Sequence, residues 1–132
     1  MLAKSITFTD YDGTERTEKF YFNLNEAELV EMEVTATGGL TKYLEKIIES
    51  KDGAKIMATF KELLFKAYGE KSPDGRRFIK SEELSIAFSQ TEAYNNLFME
   101  LVTDDKAAAA FVNGLMPAKL KSENVPAALP SK

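Results

Sequence analysis

The chain reads as a mainly helical α+β domain: an N-terminal β-hairpin over residues 4–24, about five to six helices over 25–117, and a disordered tail over 118–132. Three observations carry that expectation. Apolar and polar residues alternate near the N-terminus, the period of a strand with one buried face. Through the middle, apolar residues recur at helical spacings, and after Pro117 the segment AKLKSENVPAALPSK has no apolar period at all. With 132 residues and 44% hydrophobic content the chain suits one compact domain over 1–117, and a second domain of useful size does not fit.

From Ser5 to Thr9, Ile6 and Phe8 alternate with polar neighbours, and the stretch Arg16 to Leu24 ends on Phe20, Phe22 and Leu24. Asp10-Tyr11-Asp12-Gly13 between them supplies turn residues, with glycine taking a positive φ at little cost. An isolated hairpin is marginal in water, so Ile6, Phe8, Phe20 and Phe22 are expected to lie against helices. Asn25 reads as an N-cap, Glu28 completes a capping box, and Leu24 and Leu29 occupy hydrophobic-staple positions; a short helix from about Glu26 to Val34 follows. Gly38-Gly39 breaks it, and Leu40, Tyr43, Leu44, Ile47 and Ile48 stripe a second helix.

Asp52 is placed to cap the third helix, where Ile56, Met57, Phe60, Leu63, Leu64 and Ala67 recur up to a stop at Gly69. This is the strongest helical pattern in the chain. Ser72-Pro73-Asp74-Gly75 fits a turn, Ser81 can cap a helix carrying Leu84, Ala87 and Phe88, and Thr91 can cap one carrying Ala93, Tyr94, Leu97, Phe98, Leu101 and Val102. Asp104 or Thr103 starts a last helix through Ala107, Ala110, Phe111 and Leu115, which Asn113-Gly114 and Pro117 are expected to end.

Composition removes several classes of function. With 17 basic and 21 acidic residues the net charge is -4, which disfavours the phosphate neutralisation that drives nucleic-acid binding. There is no cysteine and no histidine, which excludes disulfides, thiolate nucleophiles and most proton-transfer and transition-metal designs. The start MLAKSITFTDYDG lacks the apolar core of a signal peptide, and no apolar run approaches the roughly 20 residues that span a bilayer. A soluble cytoplasmic protein without cofactor or metal is expected.

Candidate sites are few. Asp10-Tyr11-Asp12-Gly13 opens like a calcium loop, but the twelfth position of an EF-hand is here Tyr21, so a plain turn is the better reading. Glu26, Glu28, Glu31 and Glu33 spread around a short helix as a solvated face. Gly38-Gly39 lacks the further glycine and lysine of a phosphate loop. Asp74, Lys80 and Glu82 have no spacing that places them as a catalytic set. Arg76 and Arg77 beside Phe78 have the chemistry of an anion or nucleic-acid contact, for which two arginines in an acidic chain are weak support; the two better readings are arginines paired to nearby glutamates over a core phenylalanine, or a protein contact. Tyr43, Tyr68 and Tyr94 read as core or rim residues. The apolar stripes either all meet in one core, or one stays partly open to accept a partner's amphipathic helix, with Met32, Met99 and Met116 able to line it.

One block narrows the function further. Residues Ala67 to Tyr94 read AYGEKSPDGRRFIKSEELSIAFSQTEAY, in which Ala67-Tyr68-Gly69, Asp74-Gly75, Arg77-Phe78-Ile79-Lys80 and Thr91 to Tyr94 occur in fixed order. In that order, and from Phe20 through Pro117, the chain resembles the tail assembly chaperones of long-tailed, siphovirus-type phages and of related prophages in Gram-positive bacteria. The resemblance implies a non-catalytic protein of the host cytoplasm, absent from the mature virion. It would bind the helical tape measure protein and keep it soluble, with possible self-association and no nucleic-acid or membrane partner. A longer form made by programmed frameshifting, tethered through residues 118–132, would recruit tail tube subunits. Partner contact is expected at Tyr68, Arg76, Arg77, Phe78, Ile79 and Tyr94. The rival expectation is a structural minor tail or tail-completion protein.

Overall fold

The computed structural model describes residues 1–31 and 39–115, and of residues 39–41 the backbone alone. Strands β1 (Leu2–Thr9) and β2 (Glu15–Phe22) pair antiparallel along their whole length, from Leu2↔Phe22 to Thr9↔Glu15. The turn between them is built by one carboxylate: Asp10 Oδ1 accepts from the N–H groups of Asp12 and Thr14, both at 2.9 Å, and Gly13 takes φ +84°. Side chains on β1 alternate as the sequence pattern requires, with Ile6 and Phe8 buried and Ser5, Thr7 and Thr9 exposed. On the open face the hydroxyls of Thr7 and Thr17 meet across the strands at 2.8 Å.

Six helices follow among the described residues: α1 (Glu26–Glu31), α2 (Gly39–Glu49), α3 (Gly53–Ala67), α4 (Glu82–Ser89), α5 (Glu92–Thr103) and α6 (Asp105–Leu115). Each expected cap forms. Asn25 and Glu28 exchange side-chain-to-backbone bonds of 2.8 and 2.9 Å, a complete capping box. Asp52, Ser81 and Thr91 accept from the N–H groups of Lys55, Leu84 and Tyr94 at 3.1, 3.0 and 3.2 Å. Asp104 Oδ1 accepts from Lys106 and Ala107 at 3.0 and 3.1 Å, so it opens α6.

The expected hairpin proves to be half of a larger sheet. Two short strands, β3 (Tyr68–Lys71) and β4 (Phe78–Ile79), extend it to four antiparallel strands in the order β1-β2-β3-β4. The helix stop expected at Gly69 is therefore a direct passage from α3 into β3: Tyr68 is already extended at φ −67°, ψ 141°, and β3 pairs with the end of β2 through Tyr21↔Gly69 and Phe22↔Tyr68. The backbone N–H of Asn23 donates to Ala67 O at 2.8 Å just beyond that register. Ser72 to Gly75 closes a second hairpin. Four and two residues are too few to display a period; β3 is a strand because the open edge of β2 has backbone groups that need partners, and β4 because it pairs with β3 in turn.

Other boundaries also moved. α6 runs through Asn113-Gly114 to Leu115, because Gly114 sits where β1 meets the helix: a Cβ there would stand 2.9 Å from Leu2 Cδ1. Met57, placed in the apolar stripe of α3, is 50% exposed, and Ala110 of α6 also faces solvent. Of the break expected at Gly38-Gly39, Gly39 opens α2, while Gly38, the expected continuation of the first helix to Val34 and the tail after Pro117 lie outside the described residues.

The buried face of the sheet and the inner faces of the helices share one core. Phe22 is fully buried and touches three rings edge-on: Tyr68 at 5.8 Å, Phe88 at 5.7 Å and Phe111 at 5.2 Å. Edge-to-face geometry of this kind adds to plain area burial. No buried side-chain nitrogen or oxygen among the described residues lacks a hydrogen-bond partner.

Candidate partner-binding surfaces

The β3–β4 turn is held from inside by Ser72. Its Oγ donates to Asp74 Oδ1 at 2.7 Å and accepts from Arg77 N at 3.0 Å, while its own N–H donates to Arg77 O at 2.9 Å. Asp74 Oδ1 also accepts from Arg76 N at 3.0 Å, and Gly75 takes φ +75°. The Arg76 N–H, and after it the Ser72 hydroxyl, hold the Asp74 carboxyl below the ordinary carboxylate range. With the backbone so fixed, Arg76 and Arg77 are exposed, and neither forms an ion pair among the described residues. Their pairing to glutamates, one of the two readings above, is not found there.

Phe78 and Ile79 are half-buried on β4. Phe78 closes over Gly69, where a Cβ would lie 2.5 Å from Phe78 Cε2 and 2.7 Å from Ile79 O. Beside it, Lys80 Nζ donates to Asn23 O and to Glu28 Oε2, both at 2.6 Å, which ties the end of β4 to the start of α1. Burial lowers the Lys80 pKa and the Glu28 carboxylate opposes that shift. This lysine is a structural clamp with two of its three donors engaged.

The two tyrosines stand apart from the arginines. Tyr68, 9% exposed, stacks on Phe88 with ring centres 4.3 Å apart and planes 8° from parallel. Tyr94 meets the same phenylalanine edge-on at 5.6 Å and stacks on Phe98 at 5.8 Å. Burial raises the pKa of both phenols. The fold thus brings Arg76, Arg77, Phe78 and Ile79 together on one hairpin, and joins Tyr68 to Tyr94 through Phe88 in the core.

A second surface lies between α2, α3 and α6. Leu44, Ile48, Phe60, Ala108 and Val112 floor an open groove of about 390 Å³, and Glu45, Glu49, Asp105 and Ala109 form its rim. None of the three carboxylates forms an ion pair among the described residues. The sequence carried a signal for it in the doublets Leu44-Glu45 and Ile48-Glu49, one helical turn apart, but not the identity of the facing helix. Of the methionines considered for an open surface, Met99 is exposed on α5, away from this groove, and Met32 and Met116 lie outside the described residues.

Among the described residues no group of three or more Asp or Glu side chains could hold a metal ion, and no helix is long and apolar enough to cross a membrane. In comparisons with known proteins, a family model described as phage tail assembly chaperone matches residues 1–130. No curated protein and no solved structure matches the chain significantly.

Proposed function

Because the chain belongs to the phage tail assembly chaperone family, we propose that it binds the tape measure protein in the host cytoplasm, keeps it soluble, and helps recruit tail tube subunits before leaving the assembly. Membership in a chaperone family points to a non-catalytic role. The observation that carries the finer reading is the open groove, an apolar strip flanked by carboxylates in a chain of net charge -4. A long helical protein exposes apolar surface until tube subunits enclose it, and many copies of a small acidic chain can cover that surface and keep it dispersed. Many weak contacts along one partner suffice when they are linked.

The rigid turn bearing Arg76 and Arg77, with Phe78 and Ile79 behind it, offers a second contact of different chemistry. Tyr68 and Tyr94 meet at Phe88 rather than at that turn. Recruitment of tube subunits is assigned to a longer, frameshifted product joined beyond residue 117. An overlapping downstream reading frame in the gene supports that step, and its absence removes it.

Co-expression tests the whole reading. The tape measure protein of the same phage is expected to stay in the soluble fraction with the chaperone, and Arg77→Glu or Phe78→Ala to reduce the soluble share. A tape measure equally soluble alone refutes the mechanism. Mass spectrometry of purified particles checks departure from the virion, and a stoichiometric presence there means a structural tail component.

A further inference from the structure

We propose that the groove between α2 and α6 is the seat of one amphipathic partner helix whose apolar face is bordered by lysine or arginine. The inference rests on the tape measure reading above and says which surface and which chemistry carry it. Two ridges define the seat. On α2, Glu45 and Glu49 stand one turn apart beside Leu44 and Ile48; on α6, Asp105, Ala109 and Val112 follow at helical spacing, with Phe60 of α3 beneath. Ala109 makes the α6 rim low, which lets a third helix approach closely.

The choice of occupant follows from charge. An apolar floor alone would take any hydrophobic helix, but Glu45, Glu49 and Asp105 surround it with carboxylates that have no cationic partner among the described residues. A helix flanked by acidic side chains is repelled there, and one flanked by basic side chains gains both attraction and register. The basic turn at Arg76 and Arg77 has the opposite preference, so the two surfaces sort different segments.

The test uses the 132-residue chain and overlapping peptides from the tape measure protein of the same phage, read by fluorescence anisotropy and by amide shifts of the chaperone. Peptides with an apolar stripe bordered by Lys or Arg are expected to bind, to shift Leu44, Ile48 and Ala109, and to bind about tenfold more weakly to Glu45→Lys/Glu49→Lys, as for close charge pairs at interfaces. Raising the salt should shrink that difference. Ala109→Arg, on the exposed rim, blocks the seat by bulk and serves as the second variant, with circular dichroism confirming that both fold.

Undiminished binding by both variants, with shifts confined to Arg76–Ile79, overturns the groove assignment and leaves the tape measure reading standing. No binding of any peptide by the native chain, together with failure to keep the tape measure soluble, overturns both. If the native chain keeps the tape measure soluble and the two variants do so equally, the groove assignment again falls. Amide shifts of residues 116–132 on charge reversal without peptide assign the groove to the chain's own C-terminal segment, and a lost dimer assigns it to a second copy; either overturns the proposal.

Discussion

Replacing Gly69 by alanine tests how the β3–β4 hairpin is closed. The backbone of Gly69 does not lie in the left-handed region, so the new methyl meets no intrinsic conformational penalty. On unfolded-chain entropy alone, Gly→Ala at such a site stabilises by about 0.4–1 kcal/mol. Against that, the added Cβ would stand 2.5 Å from Phe78 Cε2 and 2.7 Å from the carbonyl oxygen of Ile79. The ring can swing aside, but the carbonyl belongs to the Glu70↔Ile79 ladder and moves only if β4 moves. Overpacking of this kind costs about 1–3 kcal/mol, so the clash outweighs the entropy gain and the variant loses a net amount of about 1–2 kcal/mol. At this chain length that lowers Tm by about 4 °C per kcal/mol. Urea denaturation gives the free energy and amide spectra give its location, with the largest shifts at Phe78 to Lys80. Adding Phe78→Ala should relieve part of the cost and leave the share due to the Ile79 carbonyl. A Gly69→Ala protein as stable as the native chain, with unshifted β4 amides, would sink the reasoning.

Phe88→Ala should cost about 3–5 kcal/mol, as for other buried aromatics, because it removes the ring that Phe20, Phe22, Tyr68 and Tyr94 all touch; near-UV circular dichroism should lose tyrosine signal in the same measurement. For Asp74 the folded-state pKa is depressed, so its contribution to the 72–77 turn is complete above the ordinary carboxylate range and is lost as the pH falls through that lower value. An acid titration followed at the Arg76 and Arg77 amides should show that loss in the native chain and not in Asp74→Asn; an identical titration in both contradicts the assignment.

How much of this fold is visible before folding depends on the range over which each choice is made. Asn25, Asp52, Ser81, Thr91 and Asp104 cap the helices that follow them because a cap and its amide are two or three residues apart. The same holds for the Asp10 turn and for the alternation of Ile6 and Phe8. The turn at Ser72 to Gly75 was equally legible, but not that it joins two strands. The arginine–phenylalanine patch was legible as a set of neighbours beside one turn, whereas Tyr68 and Tyr94 belong to an aromatic cluster organised by Phe88.

Local chemistry therefore settled the helices, their caps, the first hairpin and the absence of cysteine and histidine chemistry, because each depends on residue type and on neighbours within a turn. Tertiary packing alone decided that Tyr68 to Lys71 is a strand, since its backbone groups pair with a β2 edge far away in the chain, and Phe78-Ile79 is a strand because it pairs in turn with β3. It also decided where, among the described residues, a groove remains at the edge of the core. Leu44 is itself covered at 3% exposure while Ile48, one turn on, is covered only in part, and among the described residues the two floor a groove between α2 and α6 rimmed by Glu45, Glu49 and Asp105. A hydrophobic period says that a face seeks cover, while the arrangement of the neighbouring helices determines whether the chain itself supplies it.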